Sequence, residues 1–288
     1  MKRTGIFYHE ICGREAYKPL VMGLEEGFES LKKDKEITLA SNILFFESKP
    51  AEEEWIAYIH TKDWINYVRE RTGYWRCSIY SAGGVVEATK KVLRGEIDNA
   101  MVFAGVGGHH AHRDHAWGGC YFNLEAIAIE YARRNFGVKR FAVVDIDTHH
   151  ADGTIDIFRD DEDVLYVCFC GWWGEKGEKG KAKVCLSHAN NDEEFIRKVE
   201  KEVPPLIRNF KPEILYWVCG IDTHKASYGT QKLTEKCYPE IAKIVKRCAD
   251  ENCNGRLIVM FYGNAPARVC EYITPKIVKC LAEIETAK

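Results

Sequence analysis

A chain of 288 residues with 41 basic and 43 acidic side chains has a formal charge of −2, so it lacks the basic field that non-specific nucleic-acid binding requires. It has no apolar run near the roughly 20 residues needed to span a bilayer, and its start, MKRTGIFYHE, lacks the apolar core of a signal peptide. These features predict a cytoplasmic protein with no nucleic-acid or membrane partner, folded as one domain over residues 1–288.

In chain order, GIFYH (5–9), AMVFAG (100–105), RFAVVDID (140–147), VLYVCF (164–169), ILYWVCG (214–220) and LIVMFY (257–262) read as buried strands. Helix-period segments at about 83–94, 124–136, 193–209, 234–250 and 268–285 lie between or after them. The alternation predicts an α/β fold with a mainly parallel central sheet covered by helices on both faces. GEKGEKGKAK (174–183) reads as a solvated loop. The 12 cysteines are scattered, many lie in apolar strands, and no C-x-x-C pair occurs, so reduced buried thiols are expected. Cys168 and Cys170, on one face of a strand, are read as packing rather than metal-binding residues.

In open parallel sheets, ligands bind at the carboxyl ends of the strands. Four such ends carry unusual chemistry: GVGGHHAHRDH, DTHHADG, GIDTHKASYG and YGNAPAR. A strand's period of two would put Asp145, Asp147 and His149 on one face. Buried carboxylates need a positive partner, and an Asp and a His joined by Asp222 from another strand end would suit zinc or iron with open positions for water and substrate. Six of the ten histidines fall between residues 109 and 150. The adjacent His109 and His110 are placed to divide the work of accepting a proton and stabilising charge.

GGHHAHRDHAWGGCYFN (107–123) followed by VVDIDTHHADGTIDIF (143–158) closely resembles the histone deacetylase superfamily, which includes acetylpolyamine amidohydrolases and acetoin-utilisation proteins and shares the arginase-like fold. AYIHTKDWINYV (57–68), YSAGGVVEATKKVLRGEIDNA (80–100) and FKPEILYWVCGIDTHKASYG (210–229) extend the resemblance in order along most of the chain. It implies Asp147, His149 and Asp222 as metal ligands, His109 and His110 as the active-site imidazoles with His110 the general base, and Asp145 and Asp152 as the carboxylates behind them. It further implies Zn²⁺, or Fe²⁺, as the metal, and K⁺ bound by carbonyls near Asp145 to His149. The implied reaction is amide hydrolysis by metal-activated water.

The match departs from the family at two places. MFYGNAPAR puts Asn264 where the family has a tyrosine that donates to the oxyanion, with Tyr262 two residues earlier. GGCYFN puts Gly119, after Gly118, where an aromatic normally walls the acyl-lysine channel, and Trp172 is a candidate replacement wall. The expected substrate is therefore a small acylated amine or other amide. A catalytically degenerate metal- or ligand-binding protein is the alternative, and a protein acetyl-lysine deacetylase a further one. A homo-oligomer is compatible with the sequence.

Overall fold

The computed structural model describes residues 1–171, 182–229 and 231–284. Eight strands run β1 (Thr4–Tyr8), β2 (Ile43–Glu47), β3 (Asn99–Phe103), β4 (Phe141–Asp145), β5 (Val164–Cys168), β6 (Lys183–Cys185), β7 (Ile214–Cys219) and β8 (Leu257–Phe261). All pair in parallel, in the order β2-β1-β3-β8-β7-β4-β5-β6. The apolar runs become strands because they are covered on both faces, and every residue of β1, β3, β4, β5, β7 and β8 is buried.

Eleven helices lie between the strands and a twelfth follows β8 among the described residues. They are α1 (Ile11–Arg14), α2 (Lys18–Val21), α3 (Leu24–Lys33), α4 (Lys35–Thr38), α5 (Glu53–Ala57), α6 (Lys62–Arg71), α7 (Trp75–Leu93), α8 (Leu124–Phe136), α9 (Asp152–Ile157), α10 (Asp192–Phe210), α11 (Cys237–Cys253) and α12 (Ala267–Ala282). Alternate strand residues feed two cores. Met101, Val144, Trp217 and Val259 pack with α3, α10, α11 and α12 on one face. Val102, Val143, Tyr216 and Ile258 pack with α6, α7 and α8 on the other. This is the α/β arrangement with helices on both faces that the alternation of periods predicts. No described helix is long and apolar enough to cross a membrane.

Two differences from the sequence expectation have physical causes. β4 stops at Asp145, so the period of two does not carry through Asp147 and His149. Instead Asp145 Oδ1 accepts the Asp147 N–H at 2.9 Å, and Asp147 Oδ1 accepts the His149 N–H at 2.9 Å. Each short acidic side chain bonds the amide two residues on, which turns the chain rather than extending it. Within the expected 174–183 loop, Lys183 is buried as the first residue of β6, its Nζ donating to the Asp161 and Val164 carbonyls at 3.0 and 2.6 Å.

Candidate active site

The site lies past the carboxyl ends of β3, β4, β7 and β8, near the middle of the strand order. After β3 the chain is drawn tight: the Gly105 N–H donates to Ser81 Oγ of α7 at 3.0 Å, and the Gly107 N–H to the Gly119 carbonyl at 3.2 Å. A Cβ on Gly108 would lie 2.9 Å from the Leu124 backbone nitrogen as well as 2.7 Å from Glu125 Oε2, so glycine lets this turn pass tightly against the start of α8. Asn123 fastens the other side, capping α8 through Ala126 and donating from Nδ2 to the Ala111 carbonyl and Thr154 Oγ1, each at 2.9 Å. His109 and His110 emerge between these ties, 5% and 2% exposed.

Each imidazole is backed by its own carboxylate. His109 Nδ1 is 2.9 Å from Asp145 Oδ2, which also accepts the buried Tyr166 hydroxyl at 2.6 Å. His110 Nδ1 is 2.7 Å from Asp152 Oδ1, while Asp152 Oδ2 accepts Trp117 Nε1–H at 2.8 Å. The two environments push the imidazoles apart. Burial holds His110 down to about 4, with His109 adding to the effect against the pull of Asp152. Burial also opposes charge on His109, but Asp147 and Asp145 outweigh it and raise that imidazole to about 10.

Asp147, His149 and Asp222 converge beside this pair, their donor atoms within 4.8 Å of one another. His149 Nδ1 lies 2.8 Å from Asp147 Oδ1 and 2.9 Å from Asp222 Oδ2. Asp222 is fully buried, and its Oδ2 receives no aligned hydrogen bond. Burial, then the Asp147 charge, pushes its carboxyl up to about 7. Two carboxylate donors and one imidazole facing the same point suit a divalent cation that retains open positions. Burial opposes charge on His149, but the Asp147 carboxylate facing its Nδ1 and the nearby Asp222 carboxylate outweigh it and raise that imidazole to about 10.

A cavity of 210 Å³ opens over these groups, lined by Gly107, Gly108, His109, His110, Trp117, Gly118, Asp147, His149, Tyr228 and Tyr262 among others. Trp117 and Tyr228 were not singled out by their spacing. Trp117 lies against His110 with centroids 3.7 Å apart and ring planes tilted by 30°, and the Tyr228 ring lies 5.9 Å from that of His149. Gly118 has φ +62°, and a Cβ there would lie 2.8 Å from His110 Cδ2. Gly119 faces an adjoining outer cavity with Trp64 and Tyr67. Trp172 lies outside the described residues. Asn264, aligned with the family's oxyanion tyrosine, stands behind the cavity wall: its Oδ1 accepts the Ile221 N–H at 2.6 Å, and Ser227 Oγ donates to its carbonyl. Its side chain thus braces the β7 and β8 exits against each other. Tyr262 lines the cavity, 3% exposed, its hydroxyl without a hydrogen-bond partner.

Comparison with known proteins bears on the family and the fold. A probable deacetylase of Archaeoglobus fulgidus is 26% identical over 292 aligned residues, covering 90% of this chain and 80% of the relative. A histone deacetylase-like amidohydrolase of Pseudomonas aeruginosa is 24% identical over 333, covering 99% and 88%. Among solved structures, the HDA15 HD domain superposes with a TM-score of 0.86 at 20% identity, covering 98% of this chain and 88% of that one, which establishes the shared fold. The histone deacetylase domain family model matches residues 22–264, most of the chain and every strand end that carries the site, and the chain belongs to that family.

Proposed function

We propose that the chain, acting as one domain, is a metal-dependent hydrolase that cleaves the amide of a small acylated amine. The observation that carries this reading is the convergence of Asp147, His149 and Asp222 beside two separately buttressed imidazoles. Those three residues would hold Zn²⁺ or Fe²⁺, which when bound supplies Lewis acidity to the acyl oxygen and to water. His110 is neutral near pH 7, and Asp152 fixes its Nδ1 so that Nε2 accepts the proton of the attacking water. His110 then returns that proton to the nitrogen as the C–N bond breaks, leaving amine and carboxylate. His109, its Nδ1 held by Asp145, is positioned to stabilise the negative charge developing on the acyl oxygen. Tyr228, on the cavity wall near His149, takes the donor role vacated by Asn264. Trp117 shields the His110 ring from bulk water.

The relatives named deacetylase and amidohydrolase support an amide substrate. Gly119 in place of a channel aromatic supports a substrate other than acyl-lysine in a protein chain. K⁺ near Asp145 to His149 and a cytoplasmic setting belong to the same reading. Purified protein loaded with zinc or iron should release acid from some member of a panel of acylated polyamines, lysines and other amides. Complete inactivity of fully metallated protein across that panel would overturn catalysis in favour of a metal- or ligand-binding protein, the reading that Asn264 favours. His110→Ala should lower any activity found by about 10²–10⁴-fold.

A further inference from the structure

A second group of metal-type donors lies on the side of β4 away from β7. Cys168 ends β5, Cys170 follows two residues later, Cys185 ends β6, and His150 comes from the loop leaving β4. Cys168 Sγ is 3.3 Å from both Cys170 Sγ and Cys185 Sγ. His150 Nδ1 is 3.4 Å from Cys170 Sγ and 3.6 Å from Cys185 Sγ. All four donor atoms lie within 4.8 Å of one another, and the three thiols are 0%, 5% and 1% exposed. The sequence-based expectation that Cys168 and Cys170 merely pack rested on the two of them alone. Parallel register sets Cys185 opposite Cys168, and the turn after Asp147 brings in His150.

The spacing distinguishes the chemistries open to such a cluster. Bonded sulfurs stand about 2.05 Å apart. Around a tetrahedral zinc, with bonds of about 2.3 Å to sulfur and 2.0–2.1 Å to nitrogen, edges are about 3.8 Å between sulfurs and about 3.6 Å between sulfur and nitrogen. The observed separations of 3.3 to 3.6 Å fall within about half an ångström of those edges.

We propose that Cys168, Cys170, Cys185 and His150 form a structural zinc site distinct from the Asp147, His149 and Asp222 centre. Three thiolates and an imidazole match soft tetrahedral zinc, and four protein ligands leave no position for water or substrate. Binding releases the three thiol protons to solvent, leaving the three thiolate charges against the two of the metal. The site ties three neighbouring strand ends together. β6 is a three-residue edge strand paired only to β5, so it gains most from the tie. Because His150 is bonded to His149, the same ion also anchors the peptide that carries a ligand of the other centre.

The test is titration of chelator-treated, thiol-reduced native protein with Co²⁺ alone, followed by zinc analysis. An intense near-ultraviolet thiolate-to-cobalt band is expected, which the oxygen and nitrogen donors of the other centre do not produce. It should persist in an Asp147→Asn, Asp222→Asn double variant and vanish in Cys168→Ser. Zinc content should fall from about two per chain to about one in either variant, since each removes one site. If the Cys168 variant does not fold, mercurial treatment of the native protein should release one zinc in step with modification of these thiols. No thiolate band in native protein, a band unchanged by Cys168→Ser, or a Cys168–Cys185 disulfide in protein purified reduced with zinc would overturn the proposal. The double variant separates the two sites, so failure of this one leaves the hydrolase reading standing.

Discussion

For the proposed hydrolysis, single residues matter most at the position that donates to the oxyanion. Asn264 is committed to Ile221 by its side-chain oxygen, whereas Tyr228 and Tyr262 both line the cavity. Burial and then the charges of Asp222 and Asp147 keep the Tyr228 hydroxyl protonated far above neutral pH, as a donor must be. Tyr228→Phe is expected to lower kcat by about 10²–10³-fold with little change in KM. A loss seen instead with Tyr262→Phe would assign the role to the buried hydroxyl. Gly118→Ala tests the positioning of His110, because the added Cβ would lie 2.8 Å from its ring on a backbone at φ +62°. Reduced kcat is expected, with the fold kept intact by circular dichroism.

At the scale of elements, the site depends on how α7 and α8 are seated. A Cβ on Gly83 of α7 would lie 1.9 Å from the Lys49 carbonyl, so Gly83→Ala must push the helix off the loop after β2. Destabilisation of about 3 kcal/mol is expected in denaturant unfolding, a typical cost of forced overpacking. His60 seats α8: its Nε2 accepts the N–H of Asn123, the capping residue, at 2.9 Å. Burial holds His60 down to about 3, against about 6.5 in an unfolded chain. The unfolded state therefore binds the proton more readily. This contribution is intact above about pH 6.5 and is lost as pH falls from there toward 3, costing roughly 2 kcal/mol by pH 5. His60→Gln, which keeps an acceptor for Asn123 but does not titrate, should flatten stability over that window. An unchanged pH profile would remove His60 from the account.

For the whole molecule, a cation bound only by the folded chain adds to stability. Metal at about 100 times its dissociation constant should contribute roughly 2.7 kcal/mol, read as a rise in Tm on adding zinc and its reversal by chelator. The part due to the Asp147, His149 and Asp222 centre should disappear in the Asp147→Asn, Asp222→Asn double variant. Much of this molecule is legible in the sequence, because long buried strands and amphipathic helices carry their own period and the DIDTHH and GGHH stretches carry their own chemistry. Less legible are β2, an edge strand in which only Ile43 is buried and the other residues are partly or fully exposed, and β6, which is too short to show a period. Donor types and their local spacing are thus written in the chain itself. Only the fold decided which donors meet: parallel register set Cys185 beside Cys168, the successive Asp145 and Asp147 turns aimed His149 and His150 at different clusters, and the β7 exit loop brought Tyr228 to the cavity that Asn264 does not line. Such contacts join residues far apart in sequence, and they follow from the strand order and from the buried surfaces that fix it.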